Sequence, residues 1–579
     1  MISTVGTKDG ALGYTDSVTP NFIVGQATQG STSLPATYGD AGFRDDYGSG
    51  KLVDRAAIAI GRGVGPLTLL RMATSTAGAL PAYTYTVHAA YAGNDATNLF
   101  PGPIVQPVEP RNLEVVAGAG YDGGALTVVG TAEDKQTAQT EVITPTAGST
   151  VKGAKVFGSI TSITKATAGA SAATATVKTG NKSSAASGSD SQIAFAGTPI
   201  DDDDVLVKIS RAGDIGTAPY PAFRASFDGG DTYGAETACA AAGAMTLGRG
   251  LTATLAGSAV KVNDTFRTLA TGPKSTTNDL NTALGVLSTL NNDGGEVHFL
   301  GGMTGAQATV ITTWLAAERA AGRDWVGYIE SRDYTITNGA SESKPAFVTS
   351  INADYAAVLE PVGCLMGVPG WWETVIPNNG IQRRPNAWNA VTQVWSLPYW
   401  VNPVSVTDGG GPIPGFNTPT TPGVPNTHDE RLTPGLGGSS GRWATLQSFP
   451  GVTGAWYLSD AAGLRSPGTF AAGTSDWSLL MHARVGNRAR RFLQRYAVQL
   501  LGAALDTKAD GTLTGAELKR LKDKVERALG KALKGAVQSV KVTFSATEVT
   551  KTTKRIPYLA ELKTFAYVLQ VDGQIVQAL

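Results

Sequence analysis

Residues 96–273 are rich in Thr, Ala and Gly and almost free of helical period, whereas the chain on either side alternates short apolar runs with helical spacing. That contrast limits the fold class to a multidomain α+β arrangement. A segment of this length and period packs as β-modules, while its flanks need a sheet with helices laid on it.

Two modules are outlined, about 112–180 and about 199–273, with the Ser/Ala/Gly-rich stretch Lys182 to Asp190 between them as a linker. In the second, Phe223 and Phe227 precede Asp228-Gly229-Gly230-Asp231 and Tyr233, a hairpin signal because glycine tolerates the left-handed backbone of a tight turn. The run Asp201 to Asp204 reads as a solvated lead-in to a strand. No further ligand spacing accompanies it that would favour calcium.

Ahead of the modules, Phe22 to Gly25 and Leu67 to Leu70 read as short strands, with a helix over Leu52 to Ile60 between them. After them, Leu280, Leu284, Leu287 and Leu290 share a helical face, Val297 to Leu300 and Trp325 to Ile329 read as strands, and Ala306 to Ala321 as a helix. Residues 401–442, dense in Pro and Gly, are expected to form a long surface loop.

Two basic amphipathic helices follow. In the first, Val485, Ala489, Phe492, Leu493, Tyr496 and Leu500 form the apolar face, and Arg484, Arg488, Arg491 and Arg495 recur at i, i+4, i+7 and i+11 on another. Four aligned arginines repel one another, so an acidic surface is expected opposite them, unless the row is simply solvated. In the second, Leu518, Leu521, Val525, Leu529 and Leu533 are the buried stripe, with Lys519, Lys522, Arg527, Lys531 and Lys534 outside. Thr514 to Glu517 opens it as a capping box. Val540, Val542 and Phe544 then alternate with polar residues, as do Phe565, Tyr567, Leu569 and Val571 further on, and Asp572-Gly573 is a hairpin signal. These strands either complete their own sheet or enter a neighbouring subunit's.

Composition narrows the function. Charged residues are 16%, against about 25% in typical soluble domains, and 71 of 579 residues are glycine. Lys+Arg and Asp+Glu are 47 each, so no basic excess points to nucleic acid. Cys239 and Cys364 are too isolated for a disulfide framework or a metal site. Residues 1–19 carry no apolar leader and no run approaches the ~18 apolar residues of a membrane span, so the expectation is folding in a cytoplasm without membrane insertion.

Catalytic signals are weak. Asp506 to Glu517 follows an EF-hand loop at several positions, but Lys508 stands where an oxygen ligand is needed. Gly437-Gly438-Ser439-Ser440-Gly441 matches a nucleophile elbow but follows loop sequence. The four histidines, His88, His298, His428 and His482, have no recognisable catalytic setting, and Gly61, Gly63 and Gly65 lack the rest of a phosphate-binding pattern. The reading is no enzyme, no catalytic residue, no metal and no cofactor.

The segment from Asp476, with its Arg-rich helix Leu479 to Tyr496, the connection Asp510 to Thr514 and strands beginning at Arg555-Ile556-Pro557-Tyr558, resembles the C-terminal domain of contractile tail sheath proteins of bacteriophages and related contractile injection systems. Asn21 to Ala27 through Arg71 resembles the start of that family, and residues 278–375 its α/β middle. Ser226 to Tyr233 resembles small decorating domains of phage structural proteins, and residues 376–475 match nothing in the family. The resemblance implies a discontinuous α/β sheath core built from N- and C-terminal parts, with inserted all-β decorating modules. The implied division is an arm at 1–20, core at 21–95, modules at 96–195 and 196–273, an α/β middle domain at 274–475, and a tube-facing domain at 476–579. It further implies a subunit polymerising with itself as stacked, hexameric rings around an inner tube protein, with baseplate and tail terminator proteins as partners, in a virion tail or injection particle assembled in the bacterial cytoplasm. Arg484, Arg488, Arg491 and Arg495 would meet the tube, and Phe565, Tyr567, Leu569 and Val571 would form the inter-subunit arm. The alternative is a non-contractile virion surface or adhesion protein working through its β-modules.

Overall fold

The computed structural model describes residues 20–80, 86–92, 104–107, 110–166, 169–185, 189, 191–257, 260–358, 365–399, 401, 403, 412–416, 436, 443–448, 456–460, 480–498, 505–547 and 558–564, except 231, 291, 335, 338, 339, 378 and 379. Its centre is one six-stranded sheet. Strands β1 (Asn21–Gly25), β2 (Ala36–Tyr38), β3 (Leu67–Arg71), β4 (Glu296–Phe299), β5 (Val326–Glu330) and β6 (Leu365–Val368) lie in the order β2-β3-β1-β4-β5-β6. All neighbours are parallel except the edge strand β2. A parallel sheet needs cover on both faces, and β1, β4, β5 and β6 are buried at every residue.

The pleat sorts β1 between two cores. Ile23 packs toward α1 (Lys51–Gly61), with Leu52, Ala56 and Leu69. Phe22 and Val24 pack on the opposite side with α2 (Thr277–Thr289) and α3 (Gly305–Ala320). The helices start where the sequence supplies caps: Thr276 with Asp279, and Thr304 with Gln307, form reciprocal capping boxes. Helix α4 (Asn386–Ser396) lays Trp388 and Trp395 into the first core, and Leu436 and Trp443 enter the second. Ile413 and Leu436, two of the few described residues of 401–442, are buried, because an apolar side chain in a Pro/Gly-rich stretch still finds the core when neighbouring elements leave room for it.

Both modules are two-sheet β structures with separate cores. The first pairs Thr86–Ala92, Thr174–Thr179, Arg111–Ala117 and Thr150–Phe157 in one sheet and Ala138–Ile143, Leu126–Thr131 and Ser159–Lys165 in the other. The second sets a five-stranded sheet centred on Asp203–Arg211 against the three strands Gln192–Gly197, Leu251–Ala256 and Ala244–Gly248. Two expected boundaries move. Thr86–Ala92 pairs with Thr174–Thr179, so the core ends before residue 86 rather than at 95. The expected linker at Lys182 contributes a strand, Lys182–Ser184, to the second module, and Gln192–Gly197 belongs there as well. Lys182 donates to Ser189 at 3.0 Å, and Ser191 donates to buried Asp264 at 2.5 Å. Small polar residues are turned inward here to satisfy one another.

The Asp-Gly-Gly turn forms as expected. Gly229 and Gly230 have φ of +76° and +109°, and Asp228 accepts from Ser226 and from the Thr232 amide at 2.6 and 2.9 Å. The modules leave and rejoin the sheet through a two-stranded neck, Thr76 and Ala79 bonding Lys274 and Thr271 in both directions. Ser75 donates to Asp279, which completes the capping box of α2, through its amide and its hydroxyl, tying the neck to the core.

Phe299, fully buried and edge-on to Trp314, tests this arrangement. Phe299→Ala should lower unfolding stability by about 3–5 kcal/mol, and Leu34→Ala, at a site 72% exposed, by less than about 0.5 kcal/mol. Denaturant titration of both variants checks the contrast.

Candidate assembly surface

Helix α5 (Leu480–Val498) leaves the central layers and enters a further core with α6 (Gly515–Ala532) and the strand pair β7 (Val537–Phe544) and β8 (Tyr558–Thr564). Val485, Ala489, Phe492 and Leu493 meet Leu521, Val525, Leu529 and Leu533 there, so both apolar stripes read in the sequence face each other.

The arginine row of α5 divides. Arg484 is buried, and its Nε donates to Glu296 on β4 at 2.8 Å, while Tyr328 on β5 donates to the other oxygen of Glu296. Burial alone would lower the pKa of Arg484; Glu296, with Tyr328, outweighs it and raises that pKa. Burial, then Glu296, holds the Tyr328 phenol well above its usual range. Arg488 is buried with its guanidinium 4.1 Å from the centre of the Tyr399 ring, a cation–π contact. The expected acidic partner of Arg484 is thus internal, and Arg484 and Arg488 do not belong to an outward face. Arg491 is half-buried; the side chain of Arg495 lies outside the described residues. Neighbouring residues brace the same helix: Arg490 pairs with Asp324 at 3.2 Å, and Asn487 donates to the Trp325 carbonyl at 3.3 Å.

The exposed basic face belongs to α6. Arg520, Lys524, Arg527 and Lys531 repeat the same i, i+4, i+7, i+11 spacing and are exposed, with Lys519, Lys522 and Lys534 beside them. The cations of this face outnumber the three acids of α6, of which Asp523 stands among them, half-buried. Glu517 is buried and accepts from Arg520 at 2.9 Å, and Glu526 turns inward to accept the Val542 amide at 2.7 Å. Thr514 caps the helix through the Glu517 amide, while the Glu517 side chain goes to Arg520, so only half of the expected capping box is formed. Spacing could not separate the two rows. The discriminating signal is what surrounds them: Leu480, Met481, Ala483 and Val485 wrap the start of α5 in apolar residues, whereas α6 carries cations around most of its circumference.

Strands β7 and β8 pair antiparallel from Val537↔Thr564 to Phe544↔Tyr558, with Lys541 and Glu561 bridged at 2.9 Å. Val542 and Phe544 are buried against the helices, while Leu559 on β8 is 60% exposed. The pair forms a two-stranded sheet within this domain. Phe565, Tyr567, Leu569, Val571 and the Asp572-Gly573 turn lie outside the described residues, as do residues 1–19.

Two of the weaker motifs have structural roles. Asp510 accepts from the Thr512 amide and hydroxyl at 2.9 and 2.7 Å, closing the turn that imitates an EF-hand. His298 is fully buried and accepts from Arg55 Nε at 3.0 Å; burial, then Arg55, keeps it neutral, its pKa well below the usual 6.5. Gly437 to Gly441, Cys364 and His428 lie outside the described residues. Among the described residues no group of three His, Cys, Asp or Glu could hold a metal, and no helix is long and apolar enough to cross a membrane.

No protein-family model and no curated protein matches the chain. Among solved structures it is similar to the sheath tail protein of Desulfitobacterium hafniense, at 10% identity and a TM-score of 0.38, covering 98% of this chain and 100% of that one. It is also similar to the sheath tail protein of Listeria innocua, at 10% identity and a TM-score of 0.37, covering 94% of this chain and 95% of that one.

Removing the α5 anchor separates an internal role from a surface one. Arg484→Met leaves Glu296 buried without its cation and should cost about 3–5 kcal/mol. Arg484→Met combined with Glu296→Gln should cost less than that single change, since no lone charge remains. Chemical denaturation of the two variants checks the order.

Proposed function

We propose that the protein is the structural subunit of a contractile tail sheath, polymerising as stacked rings around an inner tube and driving that tube through a cell envelope. The observation that carries the reading is one sheet interrupted by an all-β insertion and continued into a C-terminal domain of two basic helices and a two-stranded sheet. This order of parts is the one on which the sequence resemblance rests. The parallel sheet formed by residues 21–71 and 296–368 serves as the sheath core, and the β-modules decorate its exterior.

The tube contact is assigned to the outer face of α6. Its exposed cations fit an acidic partner surface, and contacts of that kind weaken with salt and can be released and remade during contraction. The strand arm is assigned to Phe565, Tyr567, Leu569 and Val571, extending into a neighbour's sheet. Each of these could contribute about 1.5–3 kcal/mol by burial, against about 1–2 kcal/mol of backbone entropy per ordered residue. One arm is then weak, and the strength of the lattice comes from repetition.

Negative-stain microscopy of the purified full chain should give hollow, striated cylinders; a permanently monodisperse monomer is the contrary result. Reversing Lys524, Arg527 and Lys531 to Glu should abolish co-assembly with a tube protein while leaving the fold intact by circular dichroism. Unchanged co-assembly would remove the α6 assignment. A chain ending at Thr564 should stay soluble and fail to polymerise, and normal cylinders from it would remove the arm assignment.

A further inference from the structure

The neck is not the second module's only attachment. The run Asp201 to Asp204, expected in solvent, is divided between two bodies. Asp203 and Asp204 serve the module itself: Asp203 pairs with Arg249 at 2.5 Å, and Asp204 accepts from Arg267 Nε at 2.7 Å. Asp201 and Asp202 meet the central layers instead. Arg384, on the strand Gly380–Pro385 and itself fully buried, donates to Asp201 at 2.8 Å and to the Asp202 carbonyl at 2.6 Å. Lys51, buried at the start of α1, pairs with Asp202 at 2.5 Å. Both cations also stand over core tryptophans, Arg384 5.7 Å from the centre of the Trp388 ring and Lys51 5.9 Å from that of Trp371. Each aspartate of the run thus has a cation of its own, two from the core and two from the module.

The neck lies against the same residues. A Cβ on Gly78 would run into the Pro199 carbonyl, and one on Gly272 would stand 2.8 Å from the Asp201 Cα. The Gly272 amide donates to Asp202 at 2.9 Å. A two-stranded ribbon alone is a marginal structure, but this one is held along its flank by Asp201 and Asp202, which the core's cations hold in turn. To swing about the neck, the module would have to pull both carboxylates away. That would leave Arg384 with Asp54 alone, 3.6 Å from it, and Lys51 buried with no contacting carboxylate among the described residues. Stripping a buried cation of its partner is strongly disfavoured.

The first module is fastened to the second without a flexible link. The chain passes from Thr174–Thr179 in one module's sheet to Lys182–Ser184 in the other's with only Gly180 and Asn181 between. Asn112, buried on the strand Arg111–Ala117, accepts from the Lys182 amide at 3.0 Å and donates to the Gly153 carbonyl at 2.9 Å. Gln192 of the second module donates to that same carbonyl at 3.2 Å, and Lys152 of the first reaches the Ile193 carbonyl at 3.3 Å. A Cβ on Gly180 would run into Asn112, so the strands meet here at closest approach.

We propose that the insertion is a rigid two-module arm, set at one angle to the central sheet by Arg384 and Lys51 and at one angle within itself by Asn112. Whatever the first module presents to solvent is then held at a fixed distance and direction from the sheet. The arm is internal to the chain, and it stands whether or not the protein forms a sheath.

Distances between paired nitroxide labels, read by double electron–electron resonance on the full chain, test it. Labels go on Thr313→Cys of α3, Arg224→Cys of the second module and Val142→Cys of the first, all at exposed positions, with Cys239 and Cys364 replaced by alanine. The core-to-module pair and the module-to-module pair should each give one narrow distance. A broad or multiple distribution in either overturns the arm. Arg384→Gln combined with Lys51→Gln should cost the core-to-module pair its single peak and leave the module-to-module pair unchanged. Asn112→Ala should do the reverse. If either set leaves both peaks as they were, the joint it addresses is not what fixes the angle, and the proposal falls. If the Arg384 and Lys51 variant fails to fold, Gly272→Val replaces it. A side chain there has no room beside Asp201 and should shift the core-to-module distance, and an unmoved distance likewise overturns the proposal.

Discussion

Everything in this fold depends on β1 lying between β3 and β4. Its two neighbours are separated by more than two hundred residues of chain, yet both ladders are parallel and in register across Asn21 to Val24. Parallel pairing leaves no short connection, and the intervening chain must leave the sheet and come back. Once β1 is buried on both faces, the β insertion can attach only at the layer's rim, where the neck and the cap of α2 hold it. The helices on either side then have fixed places as well.

Buried charge holds the parts at fixed angles. Glu296 joins α5 to the sheet through Arg484, and Arg384 and Lys51 join the second module to α1. Pairs of this kind add little net stability over apolar packing but penalise every arrangement that separates them. They suit a chain whose parts keep a constant relation to one another. The exposed cations of α6 are of another kind, since contacts made in water can be exchanged.

The strands and helices of the central layers are legible because each carries a strong period and its own boundary signal. Leu280, Leu284 and Leu287 face one core, and Thr304 begins α3 where the helical spacing begins. The Asp-Gly-Gly turn is legible for the same local reason, since only glycine takes those φ values cheaply. Lys182 and its serines mislead because a short polar strand at a sheet edge has the composition of a linker. Thr86–Ala92 reads as part of the core because nothing local says which sheet a strand will join.

By itself, then, the sequence determined the kinds of element, their order, the two-sidedness of each stripe and the conformation of the tight turns. All of these are set within a few residues by backbone sterics and hydrophobic period. Only the tertiary structure decided which arginine row is buried, and that the aspartate run is a joint rather than a solvated edge. The reason is electrostatic. A charge is stabilised by whatever stands a few ångströms away in space, and the partners here, Glu296 for Arg484 and Asp201 for Arg384, lie far apart along the chain.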